Sequence, residues 1–253
     1  MTRASIVVAL VLLAHPAAAQ VMTWQVDGLA RRGIVRPPTA TSAGGKAPLV
    51  LCFHGHGDDM GNFELTEMHR AWPEAIVVYL QGLPSRDGLS GWQVEAKQNS
   101  DRDLKLVDAV LTTLHDKFRV DDDRIYATGF SNGAVFTYLL WAERPAVFAA
   151  FAPVAARLRP SVRPRLPKPL FHIAGKSDST IPFVDQIAAI ETVRRVNGVS
   201  GGKGASCGSG CTVYESSGAA PVMTWIHPGG HEYPKTTSER IAKFFRDHPR
   251  RSP

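Results

Sequence analysis

The sequence predicts a single-domain α/β protein with a mainly parallel sheet and helices on both faces. Apolar runs typical of buried strands alternate with segments whose apolar residues recur at helical spacing. This alternation indicates crossover connections between parallel strands. A length of 253 residues suits one sizeable core, and 44% hydrophobic with 21% charged residues is ordinary for a globular protein.

The predicted elements follow one another with short connections. A hairpin of residues 24–26 and 33–36 turns at Asp27-Gly28. The buried strands are expected at residues 48–53, 75–80, 124–128, 148–154, 169–174 and 222–226, and the helices at residues 62–72, 101–118, 132–144, 183–196 and 236–247. Residues 197–221 are rich in Gly and Ser and are expected to be irregular. The connection from Val154 to Pro169 contains three further prolines and is too short for a cap domain.

The N-terminal segment has the pattern of a secretory signal. Arg3 precedes an apolar run over residues 6–14, and Ala17-Ala18-Ala19 offers a small-residue cleavage site. The alternative is a membrane anchor, but the run is shorter than the roughly 20 residues that span a bilayer. We therefore expect residues 1–19 to be a signal peptide, residues 20–253 to be one catalytic domain, and the mature protein to be secreted or periplasmic with no membrane span.

The net charge is +6, and the basic residues are scattered in small clusters. Such a charge favours loose attraction to anionic surfaces without defining a partner. No nucleic-acid-binding module is recognisable, and no nucleic-acid partner is expected.

Three cysteines are present. Cys207 and Cys211 lie in Cys-Gly-Ser-Gly-Cys, and an oxidising compartment favours a local disulfide between them. Metal binding is the alternative, although two thiols without nearby histidines make a poor zinc site. Cys52 lies in an apolar run and is expected to be a buried thiol.

A candidate nucleophile follows the strand at residues 124–128. Gly129-Phe130-Ser131-Asn132-Gly133 stands between that strand and a helix, the setting of a nucleophile elbow in the α/β-hydrolase fold. A serine hydroxyl is a weak nucleophile and needs a base, an orienting acid and donors for the developing oxyanion. Since the partners should follow in the order acid then base, later strand ends are the places to search.

The acid and the base are assigned from such strand ends. Asp178 follows the strand at residues 169–174, whereas the rival Asp185 falls within a helical pattern. His231 follows the last strand in Pro-Gly-Gly-His, whereas His227 and His172 belong to strands and are expected to be structural. The sequence therefore predicts the catalytic set Ser131, Asp178 and His231.

Two backbone N–H groups are candidates for the oxyanion hole. One belongs to Asn132, and the other to His56 in the loop His54-Gly-His56-Gly after the strand at residues 48–53. The same loop, with Asp58 and Asp59, lies one residue from a His-x-His-x-Asp-His zinc pattern, and a zinc-dependent hydrolase is therefore an alternative. Asp59 replaces the last histidine of that pattern, and zinc chemistry would leave the Ser131 motif unexplained.

With these residues in place, the chain from about Leu49 to Phe245 resembles secreted esterases of the polyhydroxybutyrate depolymerase and feruloyl esterase type. Ser-Asn-Gly combined with Gly-Gly-His is more specific than Gly-x-Ser-x-Gly alone. The landmarks are Leu51-Cys-Phe-His-Gly55, Val77-Val-Tyr79, Gly91-Trp92-Gln93, Asp103, Ile125–Ala134, Phe148–Val154, His172–Asp178, Ile181-Pro182 and Gly229-Gly-His231. The resemblance implies that Ser131, Asp178 and His231 take the triad roles.

The expected function is hydrolysis of a carboxylic ester through an acyl-enzyme on Ser131. Feruloyl, hydroxyalkanoate and short-chain esters are the candidate substrates, and lack of a cap favours bulky, polymeric or polysaccharide-linked ones. No cofactor and no metal are expected. Trp92 and Tyr233 are candidates for the pocket wall, and Trp92 is equally a candidate packing residue. A serine peptidase, the zinc hydrolase and a non-catalytic carbohydrate-binding protein are the alternatives.

Overall fold

A ten-stranded sheet forms the centre of the computed structural model, which describes residues 18–218 and 220–250. Its strand order is β1-β2-β4-β3-β7-β8-β9-β12-β11-β10, and a separate two-stranded sheet pairs β5 with β6. The strands are β1 Gln20–Val26, β2 Leu29–Arg36, β3 Ala47–Phe53, β4 Ile76–Leu80, β5 Leu83–Pro84, β6 Ser90–Gly91, β7 Val120–Phe130, β8 Ala150–Val154, β9 Leu170–Gly175, β10 Ala205–Gly208, β11 Cys211–Tyr214 and β12 Val222–His227.

The middle of the sheet is parallel, as predicted. Strands β4, β3, β7, β8, β9 and β12 pair in parallel in that order. Their carboxyl ends therefore meet at one edge, where the loops after them carry the candidate site residues. The predicted signal-peptide segment falls mostly on residues 1–17, which lie outside the described residues.

Antiparallel hairpins complete both edges of the sheet. The hairpin of β1 and β2 turns at Asp27 and Gly28, both with positive φ, and confirms the prediction. At the other edge β10 and β11 add to β12, although residues 197–221 were expected to be irregular. That expectation was wrong for residues 205–214, because short strands of small residues give little hydrophobic periodicity. The predicted disulfide Cys207–Cys211 is present in this hairpin, and Cys52 is a buried free thiol.

Helices cover both faces of the sheet. The residues of each central strand alternate between two hydrophobic clusters, as in β3, where Leu49 and Leu51 join one cluster and Val50 and Cys52 join the other. The first cluster contains buried residues of α3 Arg102–Lys117, α4 Asn132–Glu143 and α5 Phe183–Val196; the second contains those of α1 Met60–Glu64, α2 Met68–Ala71 and α6 Thr237–Asp247.

The helix predicted over residues 62–72 is two short helices. Asp59 begins α1 by accepting the backbone N–H groups of Gly61 and Asn62. The chain then leaves the helix, and Glu67 adopts a left-handed conformation with φ 58° before α2 begins. A continuous apolar stripe does not reveal such a break, because both halves still pack on the same face of the sheet.

The connection between β8 and β9 forms no helix or strand over residues 155–169, so the expectation of no large cap domain holds. Within the part of the chain that the structure describes, no helix combines the length and apolar character needed to cross a bilayer.

Candidate active site

Ser131 stands at a sharp turn between β7 and α4. Its φ of 54° and ψ of −117° are unusual for a residue with a side chain, and its backbone N–H donates to Val154 O at 2.9 Å. Gly129 and Gly133 are needed for close backbone packing, and neither has a positive φ. A Cβ on Gly133 would lie 2.1 Å from Phe53 O, and one on Gly129 would lie 2.5 Å from Gly133 C. The two glycines thus seat the turn directly against the end of β3.

The structure joins Ser131, His231 and Asp178 in one hydrogen-bonded chain. Ser131 Oγ lies 2.8 Å from His231 Nε2, and His231 Nδ1 lies 2.8 Å from Asp178 Oδ2. In this arrangement the serine hydroxyl donates to the imidazole, and the imidazole donates to the carboxylate. A neutral histidine held this way can accept the serine proton.

Asp178 has four hydrogen-bond donors around a side chain with no exposed surface. The backbone N–H groups of Thr180 and Ile181 donate to Oδ1 at 2.9 and 2.8 Å, and Gln186 Nε2 donates to Oδ2 at 2.9 Å beside the imidazole. These donors compensate the buried negative charge. The rival Asp185 lies on α5, where its carboxylate is 3.9 Å from Arg157.

The loops that carry Asp178 and His231, the candidate acid and base, are hydrogen-bonded to each other. Lys176 N–H donates to His227 O at 2.9 Å, and Ser177 donates through its backbone N–H to Gly229 O and through Oγ to Pro228 O, both at 3.0 Å. A Cβ on Gly175 would lie 2.2 Å from Gly230 O. This backbone contact holds Asp178 and His231 at a fixed separation.

The other two candidate histidines lie elsewhere in the fold, as expected. His172 is fully buried on β9, where Nδ1 lies 2.7 Å from the Tyr138 hydroxyl. His227 ends β12 with 5% of its surface exposed, and burial lowers its pKa.

The loop after β3 lies beside Ser131. A Cβ on Gly55 would be 3.7 Å from Ser131 Cβ, which places the adjoining His56 backbone near the nucleophile. Among the described residues, no backbone carbonyl accepts a hydrogen bond from the N–H of His56 or Asn132. Both N–H groups are therefore available to donate hydrogen bonds to an oxyanion.

Asn132 also acts through its side chain, a role that the sequence analysis did not assign. Its Oδ1 accepts Trp92 N–H at 2.7 Å, and its Nδ2 donates to Trp92 O at 3.2 Å. This contact fixes the segment after β6 against the start of α4. The Ser-Asn-Gly motif was a signal that the asparagine has a role of its own.

Trp92 is a packing residue, and its assignment to the pocket wall was wrong. It is 3% exposed, its ring stacks on Phe136, and its Nε1 donates to His54 O at 3.0 Å. A large apolar ring gains most from this burial, because the indole N–H also finds an acceptor there.

Tyr233 is half-buried behind the site. Its ring meets Phe63 and Phe130 edge-on, and its hydroxyl is 3.1 Å from Ser238 Oγ. Phe130 in turn lies 4.8 Å from the His231 ring, centroid to centroid. Tyr233 therefore supports the aromatic residue that contacts the candidate base.

His54, His56 and Asp59 of the alternative zinc loop each form hydrogen bonds with a different partner. Buried His54 donates through Nδ1 to Gly55 O at 2.6 Å and accepts Gly82 N–H at Nε2 at 2.9 Å, and burial lowers its pKa. His56 Nε2 lies 2.7 Å from Asp87, and Asp59 caps α1. No group of three potential metal ligands occurs within the described ranges. These residues do not fit the zinc pattern, because both imidazole rings and the Asp59 carboxylate have other partners.

A buried ion pair supports the segment that contains Trp92. Arg31 and Asp103 have fully buried side chains 2.7 Å apart, and Asp103 Oδ2 accepts Gln93 N–H at 2.7 Å. Gln93 Oε1 accepts Asp103 N–H at 3.0 Å in return. The Gly91-Trp92-Gln93 and Asp103 landmarks were visible in the sequence, but nothing there indicated Arg31 as the partner.

Known proteins with similar sequences are named as esterases. "Putative esterase NocK" from Nocardia uniformis subsp. tsuyamanensis is 36% identical over 146 residues, which are 54% of this chain and 41% of that protein. Feruloyl esterase B from Piromyces equi is 24% identical over 228 residues, 79% of this chain and 42% of that protein. No family model matches. This chain spans less than half of the length of these relatives.

A solved structure confirms the fold class. The acetyl xylan esterase from Aspergillus awamori matches with a TM-score of 0.66 at 16% identity, over 90% of this chain and 99% of that chain. The protein thus has the α/β-hydrolase fold, as the mainly parallel sheet and the elbow predicted. The sequence relatives confirm the resemblance to esterases of the feruloyl esterase type.

Proposed function

We propose that this protein is a carboxylic ester hydrolase that works through an acyl-enzyme on Ser131. Support comes above all from one observation, the hydrogen-bonded chain from Ser131 Oγ through His231 to Asp178. In this mechanism Ser131 attacks the ester carbonyl, and His231 accepts its proton and returns it to the leaving alcohol. Water then repeats the sequence on the acyl-enzyme and releases the acid.

The oxyanion is held by the backbone N–H groups of His56 and Asn132. Both donors belong to segments that other contacts fix: Gly57 N–H donates to Ser90 O at 2.8 Å, and the Asn132 side chain holds Trp92. Donors fixed in advance need little reorganisation when charge develops. One oxyanion donor of this kind is worth about 2.7–4 kcal/mol.

The candidate substrates are feruloyl, hydroxyalkanoate and short-chain esters, including esters with a bulky alcohol part. The connection after β8 supports this breadth, since residues 155–169 form no helical cap over the site. One relative is named a feruloyl esterase, which favours feruloyl esters among these classes.

The protein acts outside the cytoplasm as a single catalytic domain of residues 20–253, after removal of residues 1–19. The Cys207–Cys211 disulfide supports an oxidising compartment. Mass spectrometry of the protein exported by a bacterial host tests this, with Gln20 expected as the first residue. A chain retained in the cytoplasm with Met1 would contradict it.

Ser131→Ala tests the mechanism. It should lower kcat/KM on p-nitrophenyl acetate by roughly 10⁴-fold or more, since removing the nucleophile disables the whole triad. A fluorophosphonate should label the wild type at Ser131 and leave the variant unlabelled. Ser206→Ala, an exposed serine on β10, is the matched control and should behave as wild type. Turnover that survives Ser131→Ala, or peptide cleavage exceeding ester cleavage, would contradict the proposal.

A further inference from the structure

A series of buried polar side chains begins at Asp178 and continues into the core. Its first member is Gln186, in the first turn of α5, with no exposed surface. Gln186 Nε2 donates to Asp178 Oδ2 and to Ile181 O, both at 2.9 Å. The amide therefore shares one carboxylate oxygen with the imidazole of His231.

His172 and Tyr138 continue the series. The Tyr138 hydroxyl lies 2.7 Å from His172 Nδ1, deep in the core between α4 and β9. Burial lowers the pKa of His172 to about 4 and raises the pKa of Tyr138, so both groups are neutral near pH 7. The tyrosine then donates to Nδ1, which leaves the proton of the imidazole on Nε2.

In that tautomer His172 Nε2 is a donor, and the oxygen of the Gln186 amide is an acceptor. His172 Nε2 and Gln186 Oε1 are both buried and have no partner at standard hydrogen-bond distance within the described residues. The Gln186 amide raises the pKa of His172 against the larger effect of burial. An amide turned by 180° would bring its oxygen against the Asp178 carboxylate and Ile181 O, so the two contacts of its NH₂ favour one orientation.

We propose that Gln186 is a positioning residue for the candidate triad, with His172 and Tyr138 fixing the orientation of its amide. The inference rests on the proposed function and adds a group outside the triad. Gln186 has two effects: it prevents rotation of the Asp178 carboxylate, and it withdraws negative charge from the oxygen that faces the imidazole. Without it, that oxygen stabilises the imidazolium more strongly.

Kinetics of Gln186→Met test this role, because methionine fills similar space without an N–H donor. We expect kcat to fall by roughly tenfold and the acid limb of the kcat/KM profile to move to higher pH by about half a unit or more. KM should stay within about twofold of wild type, since a side chain buried behind Asp178 does not contact substrate.

The pH profile must be read against the neighbouring ionisable groups. His172 lies behind Gln186, His227 on β12 is 3.5 Å from Glu232, and Asp185 on α5 is near Arg157. His227→Gln, made in the wild type and in Gln186→Met, removes a titrating group on β12 whose charge interacts with that of Asp178. The shift caused by Gln186→Met should persist in that background.

Ile190→Ala is the matched control for loss of packing in the same helix. Ile190 is 3% exposed on α5 and belongs to neither the triad nor the buried polar series. We expect a loss of Tm comparable with that of Gln186→Met and an unshifted pH profile. If Gln186→Met lowers Tm but leaves both kcat and the acid limb at wild-type values, Gln186 is merely structural and the proposal is overturned.

A second variant and a spectroscopic signal keep the test decisive. His172→Phe leaves Gln186 in place but frees its amide, so the acid limb should move in the same direction by a smaller amount. In a Ser131→Ala background, Gln186→Met should also shift the downfield proton resonance of His231 Nδ1. An unchanged resonance overturns the inference. This signal needs no turnover, so failure of the proposed ester hydrolysis would be seen separately, as lack of activity in the wild type.

Discussion

The side-chain amide of Asn132 holds both the N–H and the C=O of Trp92, at 2.7 and 3.2 Å. The residue after the candidate nucleophile therefore fastens the turn to a segment 40 positions away in sequence. Its own backbone N–H is one of the two proposed oxyanion donors, so the contact fixes the direction of that N–H.

Asn132→Ala should consequently lower kcat on a p-nitrophenyl ester by roughly 10–100-fold, a partial loss of one oxyanion donor. The backbone N–H remains, but its direction is no longer held by Trp92. Steady-state kinetics with a Tm measurement would show this. Asn62→Ala is the control, since Asn62 is exposed on α1 and its side chain hydrogen-bonds to the capping Asp59, away from Ser131. Equal kcat in both variants would refute the role of the side chain.

The glycine at the start of α4 should tolerate no side chain. In Gly133→Ala the new Cβ would lie 2.1 Å from Phe53 O, and the Phe53 backbone is held in the parallel pair of β3 and β7. We expect Tm to drop by several degrees and the fluorophosphonate reaction of Ser131 to be nearly lost. Gly202→Ala is the counterpart: its nearest neighbour would be 3.7 Å away, and its Tm and labelling should match wild type.

Removal of Arg31 should be among the most destabilising single changes. Arg31→Met removes the nearer and fully buried cation of Asp103 and leaves only Arg102 Nε at 3.6 Å, and breaking such a buried pair costs about 3–5 kcal/mol in the free energy of unfolding. Urea denaturation measures this. Lys105→Met breaks the exposed Lys105–Asp27 pair and should cost about 1 kcal/mol or less. Similar midpoints for the two variants would show that burial does not set the strength of the Arg31 pair.

His172 should make the fold sensitive to acid. Its folded pKa of about 4 lies below the unfolded value of 6.5, so the unfolded chain binds its proton first as pH falls. The stability linked to this group is thus fully present above pH 6.5 and is lost towards pH 4. The full shift corresponds to roughly 3 kcal/mol.

Comparison of wild type with His172→Gln isolates this contribution. The variant should lose less stability than wild type when urea midpoints are followed from neutral to acid pH. Burial also lowers the pKa of His54 and His227, which act with the same sign in both proteins and cancel in the comparison. Parallel curves for the two proteins would contradict the assignment.

The fold could be predicted from the sequence because long, buried strands and helices have clear patterns of hydrophobic residues. The six parallel strands and the helices α3 to α6 lie within a few residues of their predicted bounds. The hairpin at residues 205–214 was missed, since β10 consists of small exposed residues and β11 is only four residues long, too short for a periodic signal. The break before Glu67 was missed because a left-handed residue leaves no trace in hydrophobicity.

The candidate site could be predicted from the sequence only in part. Ser131, Asp178 and His231 stand at strand ends, where topology brings residues distant in sequence together, so their meeting could be anticipated. Gln186 lies within an amphipathic helix, where a polar residue reads as part of the solvated face. Its burial depends on which face of α5 meets β9, and that depends on packing that no short motif encodes. Trp92 was misplaced for the same reason: an aromatic residue near the site can face either the cleft or the core.

The loops Lys176–Asp178 and Gly229–His231 are hydrogen-bonded to each other, so the geometry of proton transfer and the choice of substrate depend on different parts of the molecule. The proposed acid and base are held as one unit, joined by backbone contacts and by the Ser177 hydroxyl, which donates to Pro228 O. The segment at residues 155–168 stands outside that unit. It can therefore be lengthened, changed in charge or replaced by a segment of another protein while the proton-transfer geometry stays the same, which makes it the natural first target for redesigning substrate choice.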